Sequence, residues 1–129
     1  HTNLLPVGAV IFSSRATIGQ VTIAKVKTST NQGFKSFVCN EDVIHNEYLY
    51  YLLQYLRPIF ENIIPSGSKY KELNSGLIQS FKIPVPFSIA EQKAIARECA
   101  KIDESASEIL KSGFSIAELH EENIRRKFF

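Results

Sequence analysis

Ile95, Ile102, Ile109 and Ile116 recur every seven residues, with Cys99, Ala106, Gly113 and His120 between them. Alternating spacings of four and three put these residues on one stripe of a helix, the seam through which coiled-coil helices pair. Ser88 followed three residues later by Glu91 is a capping box, which marks where such a helix starts. A helix from there to the C-terminus has about 40 residues and is about 60 Å long. Residues 1–86 cannot cover that length, so the pattern predicts a helical arm over residues 87–129 rather than an ordinary core helix. The alternate positions are small, which lets a partner helix come close. Gly113 costs about 1 kcal/mol relative to Ala and reads as a break or as a close-contact point. His120 reads as a packed or register-setting residue of the seam, not a metal ligand.

The preceding residues have a different character. "AVIFSS" (9–14), "QVTIAKV" (20–26) and "KSFVC" (35–39) are short and rich in β-branched and aromatic residues, with turn-forming stretches between them. They predict a small β-meander, with Gly19 and Gly33 where a turn or bulge needs positive φ. Leu49, Leu52, Leu53, Leu56, Phe60 and Ile63 follow helical spacing. Asn46 is the predicted N-cap, and Pro58 opens a second short helix that stops at Pro65. Tyr48, Tyr50, Tyr51 and Tyr55 line the edge of this hairpin. "SGLIQSFKIPVP" (75–86) reads as a strand or extended exit segment, stiffened by Pro84 and Pro86.

Bulk properties bound the function. The 129 residues suit about one domain, and 44% hydrophobic with 22% charged residues is a globular balance. Net charge is only +2, which by itself does not indicate nucleic-acid binding. The excess is uneven: residues 1–86 hold 8 Lys/Arg against 5 Asp/Glu, residues 87–129 hold 7 against 8. Cys39 and Cys99 lack CxxC spacing and fit a reducing, cytoplasmic setting. No apolar run is long enough to span a membrane, and the N-terminus lacks the basic start of a signal peptide.

Catalytic patterns are missing from the sequence. It has no GxGxxG, no GxxxxGK[ST], and no metal-ligand spacing among His1, His45, His120 and the cysteines. No enzymatic role, metal or cofactor is expected. The stretch "PSGSKYKELN" (65–74) has a solvated-turn reading and a sharper one, a loop that grips a phosphate backbone.

The segments "LPVGAVIFSSRATIG", "TNQGF", "YLYYLLQYL", "SGSKYKELN" and "FKIPVPFSIAEQKAIA" occur in that order. Together they resemble the second half of a target recognition domain of a type I restriction–modification DNA specificity subunit, followed by its long helix. The resemblance covers nearly the whole chain and implies an α+β fold: a small mixed α/β recognition globule, residues 1–86, then one long coiled-coil helix, residues 87–129. It implies sequence-specific reading of one half of a split site in double-stranded DNA and no catalytic role. Implied partners are methyltransferase subunits, which use S-adenosylmethionine, and a restriction subunit, which uses ATP. A second specificity-subunit helix, or a second copy of this chain, would pair with the arm. Full subunits carry two recognition domains and two helices, whereas this chain has part of one domain and one helix.

Loop residues then become candidates for DNA contact. Ser13, Ser14, Arg15 and Thr17 form one group, and Asn31, Gln32 and Lys35 a second. The third is Ser66, Gly67, Ser68, Lys69, Tyr70 and Lys71. Asn31 and Gln32 amides match adenine edges and Arg15 matches guanine or a phosphate; the serines and lysines suit phosphates. For Asn31 the alternative is a turn that bonds its own backbone. Two other readings stay open: a coiled-coil interaction module without DNA binding, and the recognition tail of a larger methyltransferase or nuclease polypeptide.

Overall fold

The computed structural model describes residues 4–15, 17–64 and 72–112. The chain divides into two compact units, His1–Ala96 and Arg97–Phe129. The fold is α+β, as the resemblance implies. In the first unit, β1 (Val10–Ser13), β2 (Val21–Ile23) and β3 (Phe34–Phe37) form an antiparallel sheet of order β2-β1-β3. Next come α1 (Asn46–Tyr55), α2 (Arg57–Asn62) and α3 (Ser75–Ser80), then α4 (Ile89–Lys111), which begins in this unit.

β1 is buried along its whole length, which is why its apolar residues run without polar alternation. Val10 and Phe12 pack with Ile18, Leu49, Leu53, Leu56, Phe60 and Leu73 in the main core. Ile11 joins Ala9 and Ala24 in a smaller cluster. The Phe12 and Phe60 rings meet edge to face at 5.3 Å, a favoured aromatic arrangement. The apolar stripe of α1 thus lands where its spacing predicts, and Pro58 lies in the first turn of α2. Gly19 closes the β1–β2 turn at φ +93°, and a Cβ there would lie 2.5 Å from Arg57 Cγ.

Several local expectations need correction. Gly33 is not in the positive-φ region; Gly8 is, beside Gly19. His45, not Asn46, is the N-cap of α1. The Asn46 amide is used elsewhere: its Nδ2 donates to Gly8 O at 3.0 Å. Residues 75–80 form a helix, α3, instead of a strand. Asn74 Oδ1 accepts the Leu77 N–H at 2.9 Å as its cap, and Leu77, Ile78 and Phe81 pack on the main core at helical spacing. Pro84 and Pro86 stiffen only the segment after it. The capping box is seen in part, with the Glu91 N–H donating to Ser88 Oγ at 3.3 Å.

The start of α4 is fixed by Gln92, which is fully buried. Its Oε1 accepts the His45 N–H at 2.8 Å, and its Nε2 donates to Val43 O at 3.0 Å and Pro86 O at 2.8 Å. Tyr48 holds the same exit segment, its hydroxyl donating to Pro84 O at 2.7 Å. Gln92 and Ala96 are the buried residues of α4, and both lie in the first unit.

In the second unit, α4 runs on from Arg97 to Lys111. Ile102 is 68% exposed, Ile109 37% and Leu110 46%. Ala106 is exposed and Cys99 half-buried; in the first unit, Ile95 is 38% exposed. Gly113, Ile116 and His120 lie outside the described residues.

Candidate nucleic-acid interface

The C-terminal end of β1 gathers segments far apart in sequence. The Ser14 N–H donates to Gly33 O at 2.9 Å, and Ser14 O accepts the Leu73 N–H at 2.9 Å. One buried residue therefore ties the 31–33 turn and the 72–73 segment to the sheet. Arg15 and Glu72 form the next antiparallel bridge. Arg15 Nε donates to Glu72 Oε1 at 3.0 Å, in an ion pair whose side chains are 46% and 32% exposed. A Cβ on Gly33 would lie 4.0 Å from Arg15 Cδ, so the turn and the arginine adjoin.

This geometry separates the sequence-predicted residues. Ser13 and Ser14 are buried. Ser13 Oγ donates to Thr17 O and accepts the Gln20 N–H at 2.9 Å, which shapes the β1–β2 turn. Ser14 Oγ has no hydrogen-bond partner among the described residues. Arg15, Thr17 and Gln32 are exposed and Lys35 half-buried, opposite Phe12 on β3. Asn31 is exposed but committed: its Oδ1 accepts the Gly33 N–H at 2.8 Å, the self-bonding turn that was the alternative for it. Ser66, Gly67, Ser68, Lys69, Tyr70 and Lys71 lie outside the described residues; the chain re-enters the described structure at Glu72.

Glu72 escaped the sequence reading. Its signal was its position directly after "KYK", but its pairing with Arg15 spans 57 residues and leaves no local pattern. A concavity of about 580 Å3 also lies along β2, lined by residues that include Gly19, Gln20, Phe34, Gln54 and Arg57. Its charged side chain, Arg57, pairs with Glu61 at 3.3 Å. Both cysteines are free thiols. Burial, and then the nearby Glu41 charge, push the Cys39 thiol above its ordinary range. Among the described residues no helix is long and apolar enough to cross a membrane.

A three-stranded antiparallel sheet with helices and a long C-terminal helix defines the class of fold. The HsdS subunit of Thermoanaerobacter tengcongensis has a similar fold (TM-score 0.71, 20% identity), over 87% of this chain and 26% of that one. So does a chain from a study of complex assembly and conformational transition of the type I R-M system (TM-score 0.74, 23% identity), over 95% of this chain and 29% of that one. Residues 1–117 match the type I restriction modification DNA specificity domain, and the chain belongs to that family. Two relatives from Methanocaldococcus jannaschii are similar in sequence. The type I restriction enzyme MjaIX specificity subunit is 36% identical over 107 residues, 78% of this chain. The putative type I restriction enzyme MjaX specificity subunit is 33% identical over 95 residues, 74% of this chain. The chain spans 23% and 22% of the lengths of those relatives.

Proposed function

We propose that this chain is a DNA-recognition segment of a type I restriction–modification specificity subunit, and that it contacts duplex DNA through the C-terminal end of β1. The observation that carries this reading is the convergence at Ser14: its backbone ties together the segments bearing Arg15, Gln32 and Glu72. Lys69 and Lys71, which precede Glu72 in sequence, supply phosphate contacts, and Tyr70 between them stacks or packs against sugar. Arg15 and Gln32 face base edges, Lys35 supports them with positive charge, and Asn31 shapes the turn. The role is recognition without catalysis, in the cytoplasm. Methyltransferase and restriction subunits of the same system are the partners that do chemistry. The exposed Ile102 and Ile109 belong to a seam that takes a second specificity helix or a second copy of this chain.

Charge reversal tests the reading. Lys69→Glu/Lys71→Glu lowers duplex affinity by the same factor on every sequence, because phosphate contacts carry no base information. Unchanged affinity would remove the phosphate-grip assignment. Absence of any salt-dependent duplex binding by the wild type would remove DNA recognition itself and favour the interaction module.

A further inference from the structure

We infer that Glu72 is a positioning residue that sets base discrimination by Arg15; the inference rests on the DNA-recognition reading above. Glu72 Oε1 takes its hydrogen bond from Arg15 Nε at 3.0 Å. No other described residue bonds the guanidinium. Among the described residues, the two terminal amino groups of Arg15 are therefore the unengaged part of a planar fork. Those groups pair side by side with O6 and N7 of guanine in the major groove. A carboxylate behind the fork fixes the plane in which they point.

The support under this pair is rigid. Arg15 and Glu72 are bridged through their backbones. Their neighbours Ser14 and Leu73 are both 0% exposed and share a backbone hydrogen bond of 2.9 Å. The Asn31–Gly33 turn closes the other side through its own 2.8 Å bond. A side chain held by packed neighbours keeps the geometry that discrimination requires.

Electrostatics argue for positioning over stability or affinity. A half-exposed ion pair contributes little to folding. A carboxylate next to a DNA-contacting arginine also repels phosphates, so Glu72 lowers affinity for any duplex. Such a group serves recognition only by restricting which bases the arginine accepts, the repulsive side of specificity.

The test separates charge from geometry. The full chain selects a preferred duplex from a randomised pool. Affinities for that duplex and for a scrambled one are then measured for the wild type, Glu72→Gln, Glu72→Ala and Arg15→Ala. Glu72→Gln keeps an oxygen that accepts from Arg15 Nε; Glu72→Ala does not. Both remove the negative charge, so both bind the scrambled duplex more tightly and by a similar factor. Only Glu72→Ala loses selectivity, by about 5- to 150-fold at one G·C pair, the discrimination of one bidentate arginine contact. Arg15→Ala loses it at the same pair. Thermal melting confirms that the variants are folded, and Glu72→Ser replaces Glu72→Ala if the latter is not. Wild-type selectivity in the variant without an acceptor, or equal loss in Glu72→Gln, overturns the inference and leaves DNA recognition standing. A wild type that binds no duplex overturns the recognition reading, and this inference with it.

Discussion

Replacing Gln92 by leucine probes the strongest polar junction in the described structure. Leucine keeps most of the volume but removes all three hydrogen bonds, to His45 N, Val43 O and Pro86 O. Each such bond contributes about 0.5–1.5 kcal/mol net, which gives a range of about 1.5–4.5 kcal/mol. Val43 is 57% exposed, so water reaches part of the site and the lower half of the range applies. The expected loss is about 1.5–3 kcal/mol, measured by urea unfolding with the slope unchanged. Gln92→Glu adds a pH signature. Its carboxylate still accepts from His45 N–H but faces the two carbonyls in a buried setting, so its folded pKa is raised above the unfolded value of about 4.3. The variant is therefore destabilised above that pH and recovers as pH falls through the raised folded pKa. A loss below about 0.5 kcal/mol for Gln92→Leu, or no pH dependence for Gln92→Glu, would refute the reasoning, since neither fits a buried amide satisfied three times over.

Other expectations follow from single contacts. Gly19→Ala combines a left-handed backbone at φ +93° with a clash against Arg57; its cost is about 2 kcal/mol or more, read as a lower urea midpoint. Tyr48→Phe loses the 2.7 Å bond to Pro84 O and about 1 kcal/mol, and thermal unfolding detects it. The raised Cys39 pKa leaves less thiolate near neutral pH, so Cys39 alkylates more slowly than a cysteine in a short peptide. Ile102→Asp/Ile109→Asp abolishes self-association in analytical ultracentrifugation; a helical wild type that stays monomeric at high micromolar concentration contradicts the pairing seam.

Patterns that rest on one element were legible in the sequence. The α1 stripe from Leu49 to Leu56, the opening of α2 at Pro58 and the Ser88 cap each depend on spacing within a few residues. Strand positions followed from β-branched and aromatic runs, although β2 keeps only Val21–Ile23 of its predicted span. The α3 helix was hidden because Gly76 and the later prolines suggest an extended chain, while its stability comes from the Asn74 cap and from packing by Leu77 and Ile78. Ser13 and Ser14 end the strand-like run "AVIFSS", next to the turn-forming stretch whose Arg15 drew them among the contact candidates. Ser13 is the buried last residue of β1 and Ser14 the buried residue after it, which only their backbone bonds to Gln20, Gly33 and Leu73 reveal. Glu72 and Gln92 act across 57 and up to 49 residues of chain, and no local period encodes such contacts.

The most direct measurement is a map of amide and side-chain NMR shifts as duplex DNA is added to the 129-residue chain. The account predicts the largest changes at Arg15, Thr17, Gln32, Lys35 and Glu72, weakening together as salt rises, with Gln92 and its partners unmoved. Changes confined to the stripe of Ile102 and Ile109, or a β1 end that stays silent while DNA binds, would contradict it.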